Sequence, residues 1–321
     1  MVRFFLRRLV FALLLLVCTS SAALFLTRLA PGDVTAQLGP NASRSEIEST
    51  RARFDLDRSP LSQWILWAGR AVRLDFGDSF LYNRPVAPLV IRAAGNTAVL
   101  ALAALAIATL VGISFGIVTG SRQGSHTATL VGGASLVGVS LPPLLTSLIF
   151  VFFAARTGWL PPGGMSSAGT SDVSWAAWAI DVAWHLPLPS LALAVPIAAI
   201  FERLQSQSMS DAVQQPFMVA AIARGVPRRA LILRHAWPVS LRPLCAVYGL
   251  VIGALLSGSF VVEYVTSWPG VGQLMYSALR ARDIYLVAAC AAMGACFLAI
   301  GTLAGDLLLA AADPRVRDQH A

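Results

Sequence analysis

Lysine is the residue that this chain lacks altogether: its 321 residues include 24 basic side chains, and every one of them is arginine. A P-loop nucleotide site needs a lysine to reach the β- and γ-phosphates, and no GxxxxGK[ST] segment is present. Schiff-base chemistry needs a lysine as well. The chain therefore cannot be a conventional P-loop ATPase, and any ATP-driven work must come from a partner.

Charged residues of either sign are also scarce. They make up 12% of the chain, and the mean hydropathy is +0.69, whereas an ordinary soluble domain carries about 25% charged residues. Several apolar runs reach the roughly 20 residues that a helix needs to cross a bilayer. The composition therefore predicts an all-α, polytopic membrane protein.

Metal-binding motifs are missing too. The four cysteines (Cys18, Cys245, Cys290 and Cys296) fall within apolar runs, without a CxxC or Cys/His spacing, which indicates small buried hydrophobic residues. The net charge of +8 comes from arginines beside apolar runs, a placement typical of contact with anionic lipid. We therefore expect membrane lipid as a partner, and we expect no metal and no nucleic acid.

Six apolar segments predict six transmembrane helices. The first follows three arginines and could also be a cleaved signal peptide, but its apolar run exceeds the roughly 7–15-residue core of such a leader. Pro142-Pro143 and Pro196 remove backbone hydrogen bonds, so we expect the helices that contain them to kink or break. The expected spans are about Leu9–Leu29, Thr97–Thr119, Leu130–Ala155, Leu186–Ile200, Leu244–Val262 and Ile284–Ala312.

The arginines also set the expected topology. They cluster at the amino terminus, between the fourth and fifth spans and in the tail, and the positive-inside rule places all three regions in the cytoplasm. The polar segment after the first span predicts an extracytoplasmic lobe with short helices near 46–54 and 62–73. The expected division is 1–30 (cytoplasmic amino terminus and first span), 31–92 (lobe), 93–312 (five-helix core, with a cytoplasmic loop at 203–242) and 313–321 (cytoplasmic tail).

The loop after the fourth span carries a short helical pattern. Alanine and larger apolar residues run up to Gly225, and Pro227 follows, which fits a helix with a left-handed glycine cap and a second helix behind it. Alanine favours helix and lets a partner approach the backbone closely. The alternative is an ordinary surface connector with positive-inside arginines. The residues expected to contact a partner are Phe217, Met218, Ala220, Ala221, Arg224, Gly225 and Arg228.

A second candidate site follows the fifth span, where Glu263 and Asp283 bracket a loop rich in proline and glycine. A rigid turn there could close one end of a membrane helix bundle or form a contact surface for another protein. The alternative is a loop whose glycines are needed only for their backbone angles. The residues concerned are Glu263, Trp268, Pro269, Gly270, Gly272 and Asp283.

The order and spacing of these segments resemble the inner-membrane permease subunits of ABC importers, within the dipeptide/oligopeptide/nickel group. The most specific similarity is the segment from Phe217 to Gly225, followed by Arg234-His235-Ala236. Further similar segments are Pro31-Gly32-Asp33, Asp75-Phe76-Gly77-Asp78-Ser79, Ser140-Leu141-Pro142-Pro143 and Trp268-Pro269-Gly270-Val271-Gly272.

The resemblance implies the MetI-like type I importer permease fold in a bacterial cytoplasmic membrane. It implies half of a pathway for di- or oligopeptides, completed by a second permease subunit, two ATPase subunits that hold ATP and magnesium, and an extracytoplasmic binding protein. In that family the short helix docks on the ATPase and transmits its closure. No catalytic residue, metal or cofactor is then expected in this chain. A nickel, metallophore or glutathione importer of the same family stays open.

Two functions of other classes are also considered. An intramembrane hydrolase would use Ser257 or Ser259 as nucleophile and His235 as base, but His235 belongs to the arginine-rich loop and the serines to the fifth span, beyond hydrogen-bond reach. A passive channel would conduct without any partner.

Overall fold

The computed structural model describes residues 2–30, 35, 42–167 and 174–312, and these residues are mostly helical. The Pro31-Gly32-Asp33 segment and the tail at 313–321 lie outside the described residues.

Fifteen α-helices account for most of the described residues. A two-residue antiparallel bridge joins β1 (Asp78–Ser79) to β2 (Arg84–Pro85), and a π-helical turn covers Leu231–Ala236. The helices are α1 Val2–Leu29, α2 Arg44–Arg53, α3 Pro60–Ala71, α4 Val86–Ser121, α5 His126–Ser140, α6 Pro143–Thr157, α7 Trp175–His185, α8 Pro187–Val213, α9 Pro216–Ala223, α10 Arg228–Ala230, α11 Trp237–Ser240, α12 Arg242–Gly258, α13 Phe260–Val265, α14 Val271–Ala281 and α15 Ile284–Ala312.

The membrane-crossing helices agree with the predicted number. Among the described residues, five helical segments are long and apolar enough to cross a bilayer, and α5 with α6 makes a sixth if the pair counts as one span. They are Leu6–Leu29, Val86–Ser121, Pro187–Val213, Arg242–Val265 and Ile284–Leu308. The prediction of an all-α polytopic membrane protein is confirmed, and the predicted number of six spans is reached when the bent pair counts as one span.

Proline acts differently in the third and fourth spans. The α5–α6 pair bends by 105°, and Pro142 and Pro143 stand at the start of α6, where a missing N–H costs nothing. Of the kink or break expected at Pro196, the break does not occur: α8 runs continuously from Pro187 to Val213. Proline at that position frees the carbonyl four residues earlier, that of Ala192, and the Thr146 hydroxyl of α6 donates to it at 2.8 Å. A neighbouring helix thus satisfies the broken ladder.

Two predicted spans are longer than expected. α4 begins at Val86 and α8 continues to Val213. The added part of α8 carries polar residues such as Glu202 and Gln205, which are nevertheless buried. Their burial against other helices is a tertiary effect that the hydropathy of the segment does not contain. The two short helices of the lobe, α2 and α3, lie where they were predicted.

The chain divides into two compact units. The first comprises Ala98–Trp268 and the segment from Leu298 onward, and the second comprises Val2–Thr97 and Pro269–Phe297. The sequence-based division at 30, 92 and 312 stays a prediction.

In the first unit, glycines of α4 lie directly against α8. A Cβ atom added at Gly112 would lie 2.6 Å from Phe201 Cβ, and one added at Gly116 would lie 2.5 Å from Gln205 Cβ. Gly120 stands one turn further on and would meet Ser206 and Met209. The spacing of four residues puts these glycines on one helix face, so the two backbones come into contact.

A second close contact in this unit joins α12 to α15 through two pairs of glycines. An added Cβ at Gly305 would lie 2.7 Å from the backbone nitrogen of Gly249, and one at Gly301 would lie 2.5 Å from Gly253 Cα. Both helices carry a GxxxG spacing at the crossing, which allows two membrane helices to meet backbone to backbone.

In the second unit, the first helix is tied to the lobe. The Trp64 indole N–H donates to Ser21 Oγ of α1 at 2.7 Å. The Arg28 guanidinium, at the end of α1, donates to the backbone carbonyls of Leu56 and Arg58. The first helix is thus hydrogen-bonded to the lobe at two points.

Candidate functional site

The predicted coupling helix is α9, and its two ends follow local rules. Pro216 provides the first residue, where its fixed φ suits a helix start. At the other end the Gly225 N–H donates to Ile222 O at 2.9 Å and the Val226 N–H donates to Ala221 O at 3.2 Å. Gly225 has φ +75°. This pair of hydrogen bonds is a Schellman motif, so the predicted glycine cap is present.

One face of α9 is attached to its own chain. Met218 and Ala221 are 3% and 1% exposed, and the spacing of three residues places both on the same side. They pack in a cluster with Met209 and Ala212 of α8 and with Leu231 and Ala236 of the π-helical turn. This cluster therefore anchors α9 to the end of α8.

The opposite face of α9 is open. Val219 and Ile222 are 65% and 60% exposed and Phe217 is 39% exposed, while Ala220 and Arg224 are exposed as well. Apolar side chains that are exposed side by side indicate an interaction surface. We call these five residues the open face of α9.

The seven residues singled out from the sequence thus take four different places. Phe217, Ala220 and Arg224 lie on the open face, whereas Met218 and Ala221 face inward. Gly225 forms the cap, and Arg228 donates from Nη2 to Ser121 O at 3.4 Å, at the carboxyl end of α4. Free carbonyls at a helix carboxyl end favour a cation there. Sequence reasoning missed Val219 and Ile222, which are exposed. Ile222 stands four residues after Met218, so helical spacing alone would have placed it beside the buried residues.

Glu263 and Trp268 of the second candidate site lie in the first unit and are fully buried. Ser259 Oγ donates to Glu263 Oε1 at 2.6 Å. The backbone N–H of Trp268 donates to the backbone carbonyl of Glu263 at 2.8 Å. The Trp268 side chain belongs to the main hydrophobic core of this unit. Between them, Ser267 has φ +53°, which turns the chain sharply after α13.

Pro269, Gly270 and Gly272 lie in the second unit. The Pro269 carbonyl accepts from Asn96 Nδ2 at 2.8 Å. Gly270 is extended, with φ −95°, and Gly272 lies inside α14, so neither adopts a backbone angle that requires glycine. The interpretation that these glycines serve their backbone angles is therefore wrong.

Asp283 joins α15 to the lobe within the second unit. Its Oδ2 accepts from Ser79 Oγ at 2.6 Å and from the Leu81 N–H at 3.1 Å. Its Oδ1 caps α15 by accepting from the Leu286 N–H at 3.2 Å. Burial raises the pKa of Asp283, although these hydrogen bonds act in the opposite direction. About 200 residues separate Asp283 from Ser79, so no local sequence pattern could have predicted this contact.

Comparison with known proteins decides the class of the chain. A family model described as the inner membrane component of binding-protein-dependent transport systems matches residues 112–318. The chain belongs to this family. It is therefore a multi-pass permease component of a transport system rather than an enzyme, and the ATPase of such a system is a separate subunit.

Curated relatives match nearly the full length of this sequence. A putative peptide permease protein of Brucella ovis is 32% identical over 99% of both chains. The oligopeptide transport system permease protein OppB of Mycobacterium tuberculosis H37Rv is 30% identical over 99% of both chains. The oligopeptide transport system permease protein AppB of Bacillus subtilis is 28% identical, over 98% of this chain and 99% of the relative.

A solved structure shares the fold of the permease. A chain of the MetNI methionine ABC transporter, in an inward-facing conformation, superposes with a TM-score of 0.54 and 15% identity. The match covers 70% of this chain and 96% of that one. At this identity the similarity shows the fold alone, and it confirms the expected MetI-like architecture.

The serines of the hydrolase hypothesis are occupied with structural contacts. Ser259 donates to Glu263, and Ser257 donates to Gly253 O of its own helix at 2.6 Å. Within the described ranges, no group of three or more His, Cys, Asp or Glu residues could hold a metal ion.

Proposed function

We propose that this permease forms half of an ATP-driven pathway that imports di- or oligopeptides across a bacterial cytoplasmic membrane. A second permease subunit, two ATPase subunits that hold ATP and magnesium, and an extracytoplasmic binding protein complete the system. The peptide assignment rests on full-length relatives that are named peptide or oligopeptide permeases. Nickel, metallophore and glutathione importers are the alternatives within the family.

The observation that carries the coupling proposal is the two-faced burial of α9. The open face offers apolar side chains and Arg224 to a groove on an ATPase subunit, while Met218 and Ala221 hold the helix to α8. α8 in turn packs against α5, α6 and α12. Closure of the ATPases would push α9, and α9 would move the helices around α8.

In this proposal α9 lies on the cytoplasmic side together with both termini, as the arginine distribution indicates. Glu263, Trp268, Pro269, Gly270, Gly272 and Asp283 then support the outer loop, where the path is capped or the binding protein delivers its load. Because Glu263, Trp268 and Asp283 are buried, we assign them to holding this loop in place.

The coupling proposal is tested by charging the open face. We expect Ala220→Glu to abolish peptide uptake and stimulated ATP hydrolysis in proteoliposomes that contain the permease with its genomic neighbours. Thr127→Glu is the matched control, because it adds the same charge to an exposed first turn of α5, where an acidic side chain suits the helix dipole. Full uptake by Ala220→Glu would remove α9 from the mechanism.

The substrate class is tested in the same proteoliposomes. We expect labelled dipeptide or oligopeptide to accumulate with ATP and the binding protein, and nickel chelates and glutathione not to accumulate. Accumulation of a chelate or of glutathione alone would replace the peptide assignment while leaving the family and the role of α9 intact.

A further inference from the structure

A polar cavity of about 350 Å³ opens within the first unit, between α4, α5 and α8. Thr119 and Gln123 line it from the end of α4 and the turn behind it, Thr129 lines it from α5, and Glu202, Arg203 and Gln207 line it from α8. Arg228 of the α9 loop contacts Ser121, two residues beyond Thr119. The cavity therefore lies at the same end of the unit as α9.

Glu202 is the chemically unusual residue of this cavity. It stands in a membrane-crossing helix and is 4% exposed. Its Oε1 accepts from Thr119 Oγ1 at 2.6 Å. Within the described part of the chain, Oε2 of Glu202 has no hydrogen-bond partner and the carboxylate forms no ion pair. Oε2 is not fully buried, so it is accessible from the cavity. A carboxylate held in a membrane helix at a polar cavity marks a path for substrate or ions.

Arg203 supplies the opposite charge. It lines the same cavity, is exposed, and makes no hydrogen bond or ion pair within the described ranges. The other named lining residues are hydroxyl and amide side chains, which can both donate and accept. The cavity thus offers a carboxylate, a guanidinium and neutral polar groups.

We infer that this cavity binds a small zwitterion, with its ammonium group on Glu202 and its anionic group on Arg203, and that the zwitterion is the transported peptide on its way out of the pathway. A primary ammonium donates three hydrogen bonds, which suits Glu202 together with the hydroxyl and amide oxygens. A guanidinium pairs with a carboxylate through two parallel hydrogen bonds. Ligand cavities run from roughly 300 to 1,000 Å³, so this one fits a dipeptide. The inference rests on the proposed peptide import.

Other ligands fit the cavity less well. A metal ion would need three or more acidic, histidine or cysteine ligands, and the described residues hold no such group. A purely anionic ligand would meet the buried charge of Glu202. The headgroup of phosphatidylethanolamine has the same two charges as a peptide, so the experiment must separate these two sources.

The experiment measures equilibrium binding of labelled dialanine to the complete nucleotide-free complex in phosphatidylcholine nanodiscs, without the binding protein. On the unmodified complex we expect unlabelled dialanine to compete at least tenfold better than N-acetyl-dialanine or dialanine amide. This comparison needs no variant and keeps the inference falsifiable even if a substitution impairs folding.

Two variants assign the charges. Glu202→Gln keeps an oxygen that can accept from Thr119, and we expect it to weaken dialanine binding about tenfold or more and to erase the disadvantage of the N-acetyl form. We expect Arg203→Gln to erase the disadvantage of the amide form instead. Glu48→Gln makes the same chemical change at an exposed lobe position, and we expect wild-type binding.

Each contrary result has a distinct meaning. Unchanged dialanine binding in Glu202→Gln, in a complex that still imports dialanine with ATP and the binding protein, overturns the inference and leaves the proposed function standing. If the wild-type complex imports no peptide, the proposed function itself is wrong. The lipid headgroup is the ligand instead of the peptide if two results occur together. Dialanine binding is lost in phosphatidylethanolamine nanodiscs, and native mass spectrometry shows that this lipid is retained by the wild type and released by Glu202→Gln.

Discussion

The crossing of α12 and α15 can be tested by adding a single methyl group. In Gly305→Ala the new Cβ would lie 2.7 Å from the backbone nitrogen of Gly249 and closer still to its Cα. Ordinary carbon contacts begin at about 3.5 Å, so the two helices must separate by roughly 1 Å. Both partners are backbone, and no side chain can rotate away. Overpacking of this kind costs about 1–3 kcal/mol.

The assay measures the thermal stability of the purified complex: samples are heated, and the fraction of intact complex is read by size-exclusion chromatography. Gly294→Ala is the matched control, because it makes the same change in the same helix where an added Cβ meets nothing within 4 Å. There we expect no loss, and a gain of up to about 1 kcal/mol from helix propensity. If Gly305→Ala is as stable as Gly294→Ala, the backbone contact between the two helices does not exist as described.

Three further substitutions probe single contacts. We expect Ala221→Glu to detach α9 and abolish uptake without loss of membrane insertion, because the side chain is 1% exposed; normal uptake would contradict this. Gly225→Ala forces an L-residue to φ +75°, so we expect a loss of about 1 kcal/mol in loop stability, seen as faster hydrogen exchange at 217–226, and unchanged exchange would refute it. Thr146→Val removes the donor to Ala192 O, so we expect a lower melting temperature by the equivalent of about 1 kcal/mol, and no shift would show that another group serves this carbonyl.

Much of the fold could be predicted because its signals are local. Apolar runs of bilayer length, together with Pro142-Pro143, predicted the spans and the break in the third. α9 begins at Pro216 and is capped at its carboxyl end by Gly225, and both positions follow rules that involve only a few neighbouring residues. The capping serines of α2 and α3 act over the same short range. These features do not depend on what packs against them.

The sequence could not predict which residues of α9 are available to a partner. Phe217 and Met218 are adjacent and both large and apolar, and the pattern assigned both to the contact. In the structure Met218 is buried against Met209 and Leu231, while Phe217 is open. The choice depends on where α8 and the π-helical turn stand, and neither is encoded within the helix itself.

What the sequence determined by itself was the class of protein, the number of apolar spans and the ends of the short helix α9, since hydropathy and capping act over one element. Only the tertiary structure decided that α8 continues through Pro196, that Asp283 closes onto Ser79, and that Glu202 stands beside a polar cavity. Each of these depends on a hydrogen-bond partner or a void supplied by a distant part of the chain. The separation in sequence is 46 residues for Thr146 and Ala192, 204 for Ser79 and Asp283, and 83 for Thr119 and Glu202. The structural role of a free carbonyl, a carboxylate or a glycine depends on the group that chain folding brings into contact with it.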